Sequence, residues 1–331
     1  MMTRRIGFTY DLKSDYEKKA SLPDDALAEF DREETIAEIE AAIASGGHEV
    51  VRIGHVRKLL SRVNDLDVDI VFNICEGFGG RSRESEVPMI LELYNIPFVG
   101  SDALALGLTL DKVMAKKVFQ NDGVPTPKYF MADSMTIPAH WDSMKFPFIV
   151  KPRHEGSSKG ISDDSIVSDR NSLKKQVKSI WDLYRQPALV EEFIYGSEFT
   201  VLVIGNRKPL ALPPVQISIA GHLEAGDLVY TSRRLEGTDI EYICPPKISR
   251  ALEKKLCQIS IQAYQSLECR DFGRVDLRVD KKGRPYVLEI NPLPSLSTED
   301  VFPLVARAAG MTYNQLVLKI IDIGLKRYGL G

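Results

Sequence analysis

Two stretches near the end of the chain alternate polar and apolar residues with period two, and they restrict the fold more than any other feature. Phe272-Gly273-Arg274-Val275-Asp276-Leu277-Arg278-Val279-Asp280 and Pro285-Tyr286-Val287-Leu288-Glu289-Ile290-Asn291 flank the turn Lys281-Lys282-Gly283-Arg284. Such alternation around a glycine-containing turn reads as a β-hairpin. With the turn centred between residues 282 and 283, position 276 opposes 289 and 274 opposes 291. Arg274, Asp276, Glu289 and Asn291 then share one face, and Val275, Leu277, Leu288 and Ile290 point from the other into a core. Two carboxylates directly across a sheet destabilise it unless something compensates. A divalent cation compensates, and this oxygen set suits Mg²⁺, which takes few protein ligands beside phosphates and waters. The other reading is an exposed ladder in which Arg274 and Arg278 neutralise both acids. Spacing alone leaves the two open.

Upstream the pattern differs. Arg5 to Tyr10, Glu49 to Ile53, Val68 to Ile74 and Ile96 to Val99 read as strands, separated by helices from an Asp31 cap to Ile43 and from Val87 to Tyr94. Strand–helix alternation predicts a doubly wound parallel sheet, with ligands at the C-terminal strand ends. Those ends are Tyr10-Asp11 and Cys75-Glu76-Gly77. Thr109 is expected to cap a helix from Leu110 to Asn121. Strands then follow at Pro147 to Lys151, Leu189 to Ile194 and Phe199 to Ile204. Helices follow at Leu173 to Tyr184, Arg250 to Leu267 and Tyr313 to Tyr328. The fold class expected is α/β followed by α+β.

A chain of 331 residues fits about two domains, or three small ones. With 43 basic and 46 acidic residues it lacks the positive charge of a nucleic-acid binder. Its 44% hydrophobic content supports a core and excludes disorder. The longest uncharged stretch, Pro209 to Leu223, holds three prolines and is too short and too polar to span a bilayer. The start has no apolar run, so no signal peptide is expected. Cys75, Cys244, Cys257 and Cys269 form no CxxC pair, which predicts reduced thiols in a cytosolic protein.

Several segments bear on chemistry. Phe148-Ile149-Val150-Lys151-Pro152 ends an apolar strand on a lysine, which costs solvation unless an anion meets it. The loop Arg153-His154-Glu155-Gly156-Ser157-Ser158-Lys159-Gly160 has small residues whose N–H groups can close over phosphate oxygens. It joins strand to strand, so it is no Walker loop, and GxGxxG is absent too. The segment Glu191 to Thr200 gives a strand, a bend and a strand that can present backbone groups to a base and carboxylates to ribose. Plain readings exist for each: an ordinary turn, and edge-strand acids that discourage aggregation. The loop Gly77-Phe78-Gly79-Gly80-Arg81-Ser82-Arg83-Glu84 suits a charged ligand or a plain connection.

Together these segments resemble the D-alanine–D-alanine ligase family of the ATP-grasp superfamily. Leu110-Asp111-Lys112, Ile149 to Pro152, Glu155 to Ser158, Glu191 to Thr200, Tyr242 to Pro245, Gly273 to Asp276 and Leu288 to Asn291 carry the resemblance in order and spacing. It implies an N-terminal pre-ATP-grasp domain over 1–100, a central lobe over 101–194 and a C-terminal lobe over 195–331. It implies a cytoplasmic carboxylate–amine ligase that works through an acyl phosphate, with a role in peptidoglycan biosynthesis. The implied cofactors are ATP and two Mg²⁺, with Mn²⁺ as a substitute. Small amino acids are the implied partners, in a homodimer. Lys112, Lys151 and Ser158 would hold phosphates, and Arg234 would approach them from a mobile lid over 222–245. Glu191, Glu192, Ile194 and Glu198 would hold adenosine. Asp276, Glu289 and Asn291 would bind metal. Arg274, Ser157 and Glu155 would serve catalysis, with Arg274 on the oxyanion.

The substrate half departs from the family. Gly7 to Lys13 lacks the family's glycine-rich segment and its glutamate. Cys75 to Glu84 replaces a His-Gly loop. Arg233-Arg234-Leu235-Glu236 stands where a lysine and a tyrosine are usual. Ser295 replaces a glycine that offers its N–H. Asp300 replaces a serine that binds the acceptor's carboxylate, and an aspartate there repels a carboxylate unless a cation intervenes. Tyr10, Glu76, Arg83, Ser295 and Asp300 are therefore the candidate substrate residues. The alternatives are a ligase for another substrate pair, a phosphotransferase and a non-catalytic nucleotide-binding protein.

Overall fold

The computed structural model describes residues 3–17, 22–133, 136–138, 141, 144–224, 226, 228–231, 234 and 237–331. Strands β1 (Arg5–Thr9), β2 (Glu49–Arg52), β3 (Ile70–Asn73) and β4 (Phe98–Val99) form a parallel sheet in the order β2-β1-β3-β4. Both faces of this sheet are apolar, as parallel sheets covered by helices require. Ile6, Phe8, Ile70 and Phe72 meet Ile36 and Ile39 of the helix Glu33–Ala44 and Ile320 of the helix Tyr313–Arg327. Val71 and Ile53 meet Leu59 and Leu91 on the opposite face. The chain's last helix thus packs on its first sheet.

Strands β5 (Tyr129–Ala132), β6 (Phe148–Pro152), β7 (Ile166–Val167) and β8 (Ala188–Glu192) form an antiparallel sheet in the order β5-β8-β6-β7. The helix Arg170–Tyr184 covers it with Leu173, Val177 and Ile180. A third sheet has the order β12-β11-β9-β13-β14, with β10 beside β9. Its strands are β9 (Gly196–Ile204), β10 (Leu210–Ala211), β11 (Val215–Ile219), β12 (Ile240–Ile243), β13 (Phe272–Asp280) and β14 (Pro285–Asn291). One face, through Phe199, Val201, Val203, Val275 and Leu277, packs on the helix Arg250–Ser266. The other face changes character along its length. Leu202, Ile204 and Phe272 join the first sheet's core, whereas Glu198, Thr200, Arg274, Asp276 and Arg278 face a cavity. A parallel sheet followed by antiparallel sheets is the α/β-then-α+β order expected from the sequence.

The predicted hairpin forms with the predicted pairs, Asp276 opposite Glu289 and Arg274 opposite Asn291. A β-bulge follows Asp276, however, so Leu277 pairs with Val287 rather than Leu288. The extra residue turns the strand over. Val287 enters the core, and Leu288 joins the cavity wall instead of the core expected for it. Two caps also differ. Asp31 does not cap the first helix; its backbone still bridges Leu12, and Arg32 takes the cap position without a side-chain bond. Thr109 lies inside a helix, Ala103–Leu110, and bonds back to the carbonyls of Ala105 and Leu106. Asp111 divides this helix from Lys112–Asn121 by accepting the N–H groups of Val113 and Met114. An acceptor at that position satisfies orphan helix donors better than threonine. The four cysteines are free thiols.

Candidate active site

A cavity of about 430 Å³ is walled by the second and third sheets and by Ile74 and Glu76, which follow β3 of the first. Its floor is the polar face of β9, β13 and β14. Here Arg274 grips Asp276 through two parallel bonds, both 3.0 Å. Asp276 also accepts from Asn291 Nδ2 at 2.9 Å and from Thr200 Oγ1 at 2.6 Å. Glu289 does not face an arginine. Its partner is Lys112 Nζ at 2.8 Å. Burial disfavours the Glu289 carboxylate, but Lys112, then Lys151, outweigh that and hold its pKa low. Arg278 goes elsewhere, to Glu198 at 3.2 Å and to the carbonyls of Ile194 and Leu228. The arginine ladder therefore exists only at Arg274–Asp276.

Asp276, Glu289 and Asn291 remain together on the cavity wall. Their chemistry fits a hard divalent cation that completes its shell elsewhere, because two carboxylates and one amide oxygen are too few for an all-protein cage. Among the described residues no cluster of three or more His, Cys, Asp or Glu forms such a cage.

The lysine at the end of β6 finds its anion inside the protein. Lys151 and Lys116 both contact the Glu191 carboxylate, and all three are buried. Burial works against the Glu191 carboxylate, yet Lys116 and Lys151 hold its pKa below the usual range. Burial pushes the Lys116 ammonium down, with Glu191 opposing. Lys116 also donates to Thr126 Oγ1 at 2.6 Å. The sequence reading missed Lys116, although it lies one helical turn beyond Lys112. Glu192 and Ile194 line the cavity. The Glu192 N–H is committed to the Lys128 carbonyl and the Ile194 carbonyl to Arg278. Ile149, Phe193 and Leu288 supply apolar wall beside them. Burial raises the Glu198 carboxyl, with Arg278 opposing.

The glycine–serine loop joins β6 to β7 and puts Glu155, Gly156, Ser157 and Ser158 on the wall. Ser157 and Ser158 both have left-handed backbones, φ 46° and 57°, a conformation that costs non-glycine residues energy. Contacts from a distant segment hold the loop. Glu29 accepts the Gly156 N–H at 2.7 Å and pairs with Lys159 at 2.5 Å. Asp25 accepts the Gly160 N–H and the Tyr184 hydroxyl, each at 2.8 Å. No local signal could have found Glu29, which is 127 residues from Gly156.

Of the candidate substrate residues, Glu76, Ser295 and Asp300 lie on the wall. Tyr10 does not. It is buried in the first sheet's core against Phe8, ring centroids 4.9 Å apart, because its strand phase points inward. Arg83 is buried off the wall, bonded to Glu29 and to the His154 carbonyl, each at 2.7 Å. Arg234 also leaves the wall; it binds Asp163 at 2.6 Å and the Val229 carbonyl at 3.0 Å. Arg233, Leu235 and Glu236, expected in the lid, lie outside the described residues. Asp300 caps the helix Val301–Ala308 and lies 4.0 Å from Arg274, the cation that its charge required. Asp31 and Glu84 join the wall unpredicted. Burial, then Asp11, pushes the Asp31 carboxyl up to about 7. No helix is long and apolar enough to cross a membrane among the described residues.

The family model "D-ala D-ala ligase C-terminus" matches residues 118–322. The chain is 33% identical over 296 residues to the D-alanine–D-alanine ligase of Carboxydothermus hydrogenoformans, covering 86% of this chain and 90% of that one. It is 37% identical to protein y4sG of Sinorhizobium fredii, covering 88% and 87%. The solved D-alanine–D-alanine ligase of Bacillus anthracis superposes with TM-score 0.76 at 25% identity, over 100% of both chains. Its ATP complex shares the fold with TM-score 0.77 at 24% identity, covering 99% and 100%.

Proposed function

Since this chain belongs to the D-alanine–D-alanine ligase family, a family of ATP-dependent ATP-grasp ligases, we propose that it joins the carboxylate of one small amino acid to the amine of another through an acyl phosphate. The observation that carries this reading is one cavity wall. It sets the cations Lys112, Lys151 and Arg274 beside Asp276, Glu289 and Asn291, with the glycine–serine loop on the same cavity.

A carboxylate is a poor electrophile at neutral pH. Phosphoryl transfer from ATP gives it a leaving group, and the amine then attacks the carbonyl carbon. Lys112 and Lys151 neutralise phosphate charge, and Lys116 with Glu191 fixes where Lys151 stands. Ser157 and Ser158 close over the phosphates, shaped by Glu155 and by the loop's left-handed turn. Glu198 faces ribose, and Ile149, Phe193 and Leu288 enclose the base. Asp276, Glu289 and Asn291 would hold Mg²⁺, two ions in this reading, which shields charge on the transferring phosphoryl group. Arg274 receives the oxyanion, a contact worth about 2.7–4 kcal/mol for one donor. Ser295 offers its N–H beside it. Closure of the cavity keeps water from the acyl phosphate. A cytoplasmic homodimer built from the three segments 1–100, 101–194 and 195–331 completes the reading.

The test is ADP release from purified protein with ATP, Mg²⁺ and a panel of amino acids, products weighed by mass spectrometry. An amide product matched by ADP is expected. Silence across the panel refutes ligation, and a stable phosphorylated acid points to a phosphotransferase.

A further inference from the structure

The strained pair in the glycine–serine loop is held by a residue from a distant part of the chain. Ser157 and Ser158 are consecutive left-handed residues, a conformation that costs energy and persists only where the surroundings enforce it. The Glu29 carboxylate grips the residue on either side of the pair. Its Oε1 accepts the Gly156 N–H at 2.7 Å, and its Oε2 meets Lys159 Nζ at 2.5 Å. Arg83 Nη2 adds a third contact, 2.7 Å from Oε1. Burial works against this carboxylate, yet Arg83, then Lys159, hold its pKa low. Lys159 is buried and also pairs with Glu155, so it belongs to the frame of the loop.

This seat exists because position 156 has no side chain. A Cβ there would lie 2.6 Å from Glu29 Oε1, with Glu29 Cδ at 3.5 Å and Cγ at 3.8 Å as its next neighbours. Backbone conformation does not call for glycine here, since Gly156 lies outside the left-handed region; the close approach of the carboxylate does. The N–H groups and hydroxyls of Ser157 and Ser158 carry no hydrogen bond among the described residues, and both serines are on the cavity wall. Successive free N–H groups in such a turn form a concavity for anions. Glu29 is thus committed to the frame, and the serines' donors are left for a ligand.

We propose that Glu29 is a positioning residue for the nucleotide's phosphates: it staples Gly156 to Lys159 and so fixes Ser157 and Ser158 in their phosphate-receiving turn before nucleotide arrives. The inference rests on the reading of this cavity as an ATP site. Losing the staple lets the strained pair relax, and a ligand must then re-form the turn as it binds. Ordering a loop on binding lowers affinity. The loss falls on the part of the ligand that the turn receives, the phosphates, and spares the base.

Adenosine and a non-hydrolysable ATP analogue, each with Mg²⁺, are the probes, titrated by calorimetry into the full chain. The wild type is expected to bind the analogue tighter than adenosine. Glu29→Ala and Gly156→Ala should each weaken the analogue about tenfold, the loss of roughly one charge-assisted hydrogen bond, with adenosine unchanged. Glu29→Gln keeps an acceptor for the Gly156 N–H and should recover part of the loss. The double variant should be no weaker than the worse single one, because both substitutions remove the same contact. If Glu29→Ala misfolds, Gly156→Ala and Glu29→Gln carry the test, and an unchanged analogue affinity in Gly156→Ala overturns the inference. Equal losses for adenosine and the analogue overturn it, as do additive losses in the double variant. Tighter analogue binding in Glu29→Ala overturns it too and makes the carboxylate a competitor for the loop. If the wild type binds the analogue no tighter than adenosine, the ATP reading itself falls. If it binds the analogue tighter and the variants leave that preference unmoved, the ATP reading stands and the inference alone falls.

Discussion

Glu191→Gln isolates the most deeply buried ion pair among the described residues. Glu191 and Lys116 are each 1% exposed and Lys151 is 5% exposed, and the carboxylate contacts both ammonium groups. Removing it leaves two buried cations facing each other without an anion. Breaking a buried pair by removing one partner costs about 3–5 kcal/mol. Here one carboxylate serves two lysines, which puts the expectation in the upper half of that range. The cost must also depend on pH. Burial already pushes the Lys116 ammonium down, and Glu191 is the first group that opposes this. In the variant the folded-state pKa of Lys116 falls further below its unfolded value. A lysine so depressed destabilises the fold at low pH, where it must be charged, and stops doing so once the pH exceeds both values. The deficit should therefore shrink from pH 6 to pH 9. Urea unfolding at both values reads it directly; for a denaturant slope of about 3 kcal/mol/M, the midpoint falls by about 1 M or more at pH 6. Adding Lys116→Met should return part of the loss. A deficit below about 1 kcal/mol, or one equal at the two pH values, refutes this account of the three residues.

Other substitutions test separate parts of the structure. Arg274→Ala should lower kcat by about 10²–10³-fold while the thermal shift given by ATP with Mg²⁺ persists; a loss of nucleotide binding with kcat per bound enzyme unchanged contradicts the oxyanion role. The bulge predicts opposite outcomes for neighbours: Val287→Ala should cost about 2 kcal/mol of stability, and Leu288→Ala little stability but a several-fold loss of ATP affinity. The reverse pattern would restore Leu288 to the core. Asp31→Asn should stabilise the protein at pH 8 and not at pH 4. A carboxyl moved from 3.8 to about 7 withdraws at most about 4 kcal/mol as pH rises through that window, and partial solvent access cuts this to about 2. Equal melting temperatures for variant and wild type at pH 8 count against a raised Asp31 carboxyl.

What the sequence made legible was local. Period-two alternation placed Arg274, Asp276, Glu289 and Asn291 on one face because four dihedral repeats of a strand decide side-chain direction without help from the rest of the chain. It failed at Leu288, where one bulged residue reverses that direction, and a bulge leaves no mark in a pattern that already alternates Val, Leu and Ile. Asp111 was equally hard to see as a helix boundary, since Leu110 and Lys112 continue a helical pattern across it. Tyr10 was misplaced for a related reason: the end of a parallel strand faces ligand and core on alternate residues, and a one-residue choice of phase exchanges them.

The larger omissions share one cause. Glu29 seats on Gly156 across 127 residues of chain, Arg83 turns to Glu29 instead of the cavity, and Arg234 turns to Asp163. Each is a charged side chain whose partner is fixed by tertiary packing. A sequence shows that the charge exists but not which opposite charge reaches it first. The consequence for function is specific. Glu29, Lys112, Lys151 and Lys159 all find their partners inside the protein, and Glu84 keeps Arg83 at 3.9 Å, so the net charge that a ligand meets in the cavity is smaller than a count of charged residues along the sequence suggests.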